Sequence, residues 1–137
     1  TKLGLMEHPF DMLYEFSWLL ALALFLSQTE GLLPLVFISF SITFIAFYRF
    51  CYDQFSRATG ISLDEYGRFE RAFRRVAGRR NIYNVYILIG VLLGAPPFSL
   101  MGIMVHSALT ATVYAFSAST HLHAIDQKSQ LSKKNSD

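Results

Sequence analysis

Four residues near the start of the chain, Glu7, His8, Asp11 and Glu15, have side chains that hold hard cations or move protons. Glu7, Asp11 and Glu15 form an i, i+4, i+8 row, which lets a single helix present three carboxylates on one face. Mg²⁺ and Mn²⁺ take such oxygens and keep several waters, so these residues with His8 are candidate metal ligands, and Asp11 and Glu15 are the candidate catalytic pair. A second set is basic. Arg68, Arg71 and Arg75 recur at i, i+3 and i+7, and Arg79 and Arg80 follow. Guanidinium forks match phosphate oxygens, which makes the five arginines a candidate phosphate or lipid-headgroup site. Each set also has a plainer reading. Asp11 follows Pro9 in a first helical turn and complements the positive end of the helix dipole. The arginines equally suit a topology anchor with a solvated face. Glu15 resists the plainer reading because an ionised group facing lipid is expensive, so it must face a bundle interior or a polar cavity.

The elements that position these residues are read from composition. Apolar residues make up 53% of the 137 and charged residues 16%, against about 25% charge in soluble domains. The charges cluster at the beginning, between Arg49 and Arg80, and in the tail, which implies lipid-embedded stretches separated by wet ones. Four apolar segments, 12–28, 32–50, 82–94 and 97–122, predict an all-α integral membrane protein with four transmembrane helices in one domain over residues 1–123. "TEGLL" breaks the first pair, and "GAPP" stops the third segment, because Pro96 and Pro97 each lack a backbone donor. The third segment is short, about 20 Å at 1.5 Å per residue. Residues 124–137 read as a polar, disordered tail.

Eight arginines between Arg49 and Arg80 oppose four acids, a surplus of four positive charges. Positive-inside bias places that 51–80 loop, and with four crossings both termini, in the cytoplasm. Within the loop Ser62 and Glu65 form a capping box before an amphipathic helix over 63–77. Leu63, Tyr66, Phe69, Phe73 and Val76 face the acyl chains and the arginines face anionic headgroups. The net charge of +2, with its bases at a membrane surface, excludes a nucleic-acid partner.

The remaining features are structural in character. Cys51 is the single cysteine, so it has no disulfide partner in the chain. His121 and His123 point to different faces of a helix and mark a boundary, while mid-segment His106 hydrogen-bonds inside the bundle. Ser107, Ala108, Thr110, Ala111, Ala115, Ser117 and Ala118 form a close-contact surface, whose partner lies either in this chain or in another subunit. No signal peptide is recognisable, and the initial Thr1 reads as the start of a processed or truncated product.

"TKLG" at Thr1–Gly4, the carboxylate-bearing helix start and "GRRNIYNVYILIGVLLGAP" over 78–96 resemble the C-terminal two-thirds of CDP-alcohol phosphatidyltransferases. The resemblance implies a six-helix enzyme that uses divalent metal to move a phosphatidyl-type group from a CDP-linked lipid to an alcohol, releasing CMP. It implies metals on the pyrophosphate, a last carboxylate that deprotonates the acceptor hydroxyl, for which Asp11 and Glu15 are the nearest candidates, and loop arginines on the lipid phosphate. The family's G-x-x-x-D-x-x-x-D element has two registers here. With Gly4 as its glycine the aspartate positions fall on His8 and Met12; with Asp11 and Glu15 in those positions the glycine becomes Glu7. The chain is then either part of a longer enzyme or a degenerate relative without the activity. The alternative class is a non-catalytic accessory subunit that assembles with other membrane subunits or with further copies of itself.

Overall fold

A computed structural model describes residues 4–77 and 80–134, with side chains over 9–77 and 80–131. The described residues form helices and turns only: α1 (Gly4–Glu30), α2 (Leu33–Thr59), α3 (Leu63–Tyr66), α4 (Arg68–Phe73), α5 (Arg80–Leu92) and α6 (Pro96–Lys134). Among them three helices are long and apolar enough to cross a bilayer, over Pro9–Glu30, Leu33–Thr59 and Pro96–Leu131. That is one fewer than the four crossings expected. The expected third crossing is α5, whose 13 residues fall short of a hydrocarbon core of about 30 Å.

Two helical hairpins make the bundle. α1 turns into α2 through Gly31, which has φ +70°. α5 turns into α6 through Gly94, at φ +67°, where two backbone bonds close a Schellman motif. The Ala95 N–H donates to the Gly90 carbonyl at 2.8 Å and the Gly94 N–H to the Val91 carbonyl at 3.0 Å. A left-handed residue is required there, which is why "GAPP" begins with glycine. The hairpins join through α2 and α6, which run parallel, since Tyr48 and Tyr52 meet Tyr114 and Phe55 meets His121. Leu19, Ile38, Ile45, Leu100 and Ile103 are fully buried between the helices.

The small residues of α6 find their partner inside the chain. Ser107, Thr110, Ala111, Ser117 and Ala118 are buried within the described bundle, Ser117 against Glu70 of α4. Most hydroxyls in the long helices return to their own backbone, as Ser41 donates to the Phe37 carbonyl and Thr110 to that of His106. That arrangement satisfies a polar group without water or a partner. At residue 90 the two helices of the second hairpin touch, for a Cβ on Gly90 would collide with the Ser99 hydroxyl.

Four local expectations are corrected. The single amphipathic helix over 63–77 is two short helices, α3 and α4, separated by Gly67 in an extended conformation (φ −130°, ψ 157°). The Glu70 carboxylate folds over Gly67 and occupies the space where a Cβ would lie. No capping box forms: the Ser62 side chain makes no cap bond, and its carbonyl accepts from the Glu65 N–H at 3.0 Å. Tyr66 and Phe73 also turn inward, onto Phe55 and Tyr114, and leave Phe69 and Val76 exposed. Finally, α6 continues through the polar tail to Lys134. Extending an existing helix needs no new nucleus, and Ala124, Gln127, Lys128 and Gln130 are good helix formers.

Candidate functional site

The polar groups gather at the end of the bundle where α2 leaves its hairpin and α3 and α4 pack against α6. Three carboxylates are buried there or one layer deeper, two of them paired with an arginine and the third with a serine and a histidine.

Glu15 lies deepest. Its side chain is 3% exposed and pairs with Arg49 of α2, itself 19% exposed. The pairing follows from hairpin geometry, since Glu15 and Arg49 each lie 17 residues from Leu32 in the turn. One carboxylate oxygen, Oε2, takes the guanidinium, while Oε1 is buried without a hydrogen-bond partner among the described residues. Beside the pair the Tyr48 and Tyr83 hydroxyls approach to 3.4 Å, tying α2 to α5.

Asp64 of α3 receives the Tyr52 hydroxyl and the Arg74 guanidinium. Glu70 of α4 reaches α6, where its Oε1 accepts from the Ser117 hydroxyl at 2.5 Å and contacts His121 Nε2 at 2.9 Å. Burial opposes ionisation of Glu70, but the bonds from Ser117 and His121 outweigh it and hold the carboxyl below its usual value. His121 is itself fixed by rings, with Tyr66 at 4.5 Å and Phe55 at 6.3 Å between centroids. The cluster therefore clips the α3–α4 segment to α2 by one carboxylate and to α6 by another.

The residues singled out from sequence are distributed unevenly over this end. Asp11 is exposed, one turn beyond buried Glu15, so the two do not act as one facing pair. The side chains of Glu7 and His8, and Arg79 altogether, lie outside the described residues. Arg68, Arg71, Arg75 and Arg80 are exposed. His106 behaves as its position implies: it is half-buried, with Nδ1 3.3 Å from the Tyr86 hydroxyl. His123 is exposed beside Gln127. His121 is more than a boundary mark, because it is part of the Glu70 cluster.

A divalent metal centre is not formed by the described side chains. Among them no three His, Cys, Asp or Glu residues converge on a point that could hold an ion. The deepest candidate ligand, Glu15, is taken by a cation of the protein's own. Of the four candidate ligands, Asp11 is exposed and Glu15 is paired with Arg49, and the side chains of Glu7 and His8 lie outside the described residues.

Arg49, Asp64, Glu70, Arg74 and Ser117 were not singled out from sequence as site residues. A signal existed for two of them. Arg49 near the end of an apolar run needs a counter-ion, and the hairpin places Glu15 opposite it. Ser117 and His121 are i, i+4 on α6, but Glu70 comes from 47 residues away from Ser117. No protein-family model, curated protein or solved structure matches the chain.

Proposed function

We propose that the chain is a membrane-embedded unit of phosphatidyl-type group transfer, taking a CDP-linked lipid and an alcohol at the end where α3 and α4 pack. The observation that carries this reading is that Asp11, Arg68, Arg71, Arg75 and Arg80 are all exposed on the segments that lead out of the bundle at the end where Glu15 meets Arg49, beside three helices able to cross a bilayer. The motif "GRRN" and the sequence resemblance supply the reaction class. In this reading the arginines hold phosphate oxygens as bidentate forks. Asp11, the exposed carboxylate, takes the proton of the acceptor hydroxyl. Glu15 and Arg49 do no chemistry and hold α1 against α2. No step is routed through a metal.

The same reading orients the chain. The surplus of arginine between Arg49 and Arg80 puts the α3–α4 end and both termini in the cytoplasm, and α5 becomes a fourth, short crossing beside α6. Its exposed Val85, Leu88, Ile89, Val91 and Leu92 are the lipid-facing side that such a crossing needs.

The test is CMP release from a CDP-linked diacylglycerol by the purified chain, with a panel of alcohols, with Mg²⁺ or Mn²⁺, and with chelator. Transfer that falls with Asp11→Asn and with Arg68→Gln/Arg71→Gln supports the proposal, and the chelator arm reads the metal requirement. Release unchanged by Asp11→Asn removes that residue from the chemistry. A second reading, a non-catalytic accessory subunit, is favoured by the withdrawal of Glu15 into its pair with Arg49. It predicts no CMP from folded chain and a partner subunit that co-purifies in mild detergent; a lone, inactive monomer would remove both readings.

A further inference from the structure

The outer side of α6 carries a trough whose apolar length the transfer reading does not use, although its mouth lies at the arginines of that reading. At the polar end it is a cavity of about 400 Å³ between Phe69 and Glu70 of α4 and Val113, Phe116 and His121 of α6. Deeper in the apolar layer it is a groove of about 480 Å³ between Phe40 and Phe44 of α2 and Val105 and Leu109 of α6. Thr112 lines both. Residues 105, 109, 112, 116 and 120 recur every three or four positions, so the two hollows lie along one helix face. From Met104 to His121 the trough runs about 26 Å at 1.5 Å per residue. That is slightly more than one leaflet with its headgroup layer, about 20–22 Å.

Charge at the mouth selects the occupant. Arg68 and Arg71 flank Phe69 and Glu70 on α4, Arg75 follows, and all three arginines are exposed. Two of the nearby acids are already engaged, Glu70 by Ser117 and His121 and Asp64 by Tyr52 and Arg74. Glu65 is left as the exposed acid of α3 and α4 against those three bases. An apolar trough that runs inward from a positively charged mouth matches an anionic amphiphile.

We propose that the trough holds one acyl chain of an anionic phospholipid as a resident lipid, with its phosphate at Arg68 and Arg71. It shares Arg68 and Arg71 with the transfer reading and is told apart from it by outcome: the resident lipid is bound and not consumed, so it stays bound in a chain that releases no CMP. The occupant bridges α4, α2 and α6 along the open side of the bundle.

The experiment is native mass spectrometry of delipidated chain in detergent, titrated separately with palmitoyl-oleoyl phosphatidylglycerol, the matching phosphatidylcholine, and inorganic phosphate. The expected result is one phosphatidylglycerol per chain, bound about tenfold more tightly than phosphatidylcholine, with no retention of free phosphate. Thr112→Trp, at an exposed position in the middle of the trough, lowers that affinity about tenfold, while Leu88→Trp, of equal bulk on exposed α5, leaves it unchanged. Arg68→Gln/Arg71→Gln, confined to the surface, erases the preference over phosphatidylcholine and keeps the proposal testable should Thr112→Trp not fold. Equal binding of the two lipids, phosphate held as tightly as phosphatidylglycerol, or lipid binding indifferent to Thr112→Trp would each overturn it. So would a dimer that Thr112→Trp splits without loss of lipid, since a second copy would then be the occupant.

Discussion

The two ends of the bundle are built by different means. At the turn end, α1–α2 and α5–α6 close through Gly31 and Gly94, and the fit is one of shape, with Gly90 against Ser99 and a ring of Tyr86 against Gly102. At the polar end the segments are held by charge and by hydrogen bonds: Glu15 with Arg49, Asp64 with Arg74, and Glu70 with Ser117 and His121. The difference teaches where the molecule responds to what. Volume changes act on the turn end, and proton and salt concentration act on the other.

The largest effect is expected at the ion pair between Glu15 and Arg49 inside the apolar layer. Arg49→Met leaves the Glu15 carboxylate buried without its cation and destabilises the bundle by about 3–5 kcal/mol, whereas Glu15→Gln/Arg49→Met recovers most of the loss. Thermal unfolding in detergent of the single and double variants checks this, and an additive double would mean that the two side chains are not coupled. Next comes Gly90→Leu, which forces α5 off α6 and costs about 1–3 kcal/mol. Its effect is expected to be independent of pH, and a pH-dependent loss would break the division between the two ends. Gly94→Ala follows, at about 1–2 kcal/mol, because alanine is strained at a left-handed position. Increased proteolysis at the 93–97 turn is its readout.

The smallest effect is the one that sharpens the comparison. Glu70 is held below its usual value, so its contribution is fully present above the unfolded carboxylate pKa of about 4.3. It is lost as pH falls through the lower folded-state value. Hydrogen exchange in α4 should therefore rise below about pH 4 while exchange in α5 does not. Glu70→Gln should flatten that response at a cost of about 1 kcal/mol.

Much of the architecture was legible because its signals are local. Apolar runs at bilayer length mark α1, α2 and α6, and glycine with proline marks the turns. The breaks in this legibility have physical causes. Val76 follows Phe73 at helical spacing, but the chain is extended at Gly67, whose missing Cβ leaves the space that the Glu70 carboxylate fills, so one helix becomes two. The tail is polar enough to read as unstructured, yet it inherits a helix already nucleated within the bundle. For the site, depth alone identified Glu15 as a residue that needs the interior. Its partner required the hairpin, and the role of Glu70 required α6, which no spacing within the 51–80 loop contains. Acids among many arginines look like a solvated face until a distant helix supplies their bonds.

The position of the two glycine turns has a consequence for biogenesis. Both lie at one end, where Glu30 and the 94–98 segment border the same hollow. A bilayer that takes up the bundle turn-first has to carry only those short connections across, and Glu30 is the sole charged side chain in them. Among the described arginines only Arg49 enters the apolar layer, and it is paired with Glu15, so a turn-first insertion carries no unpaired guanidinium into hydrocarbon.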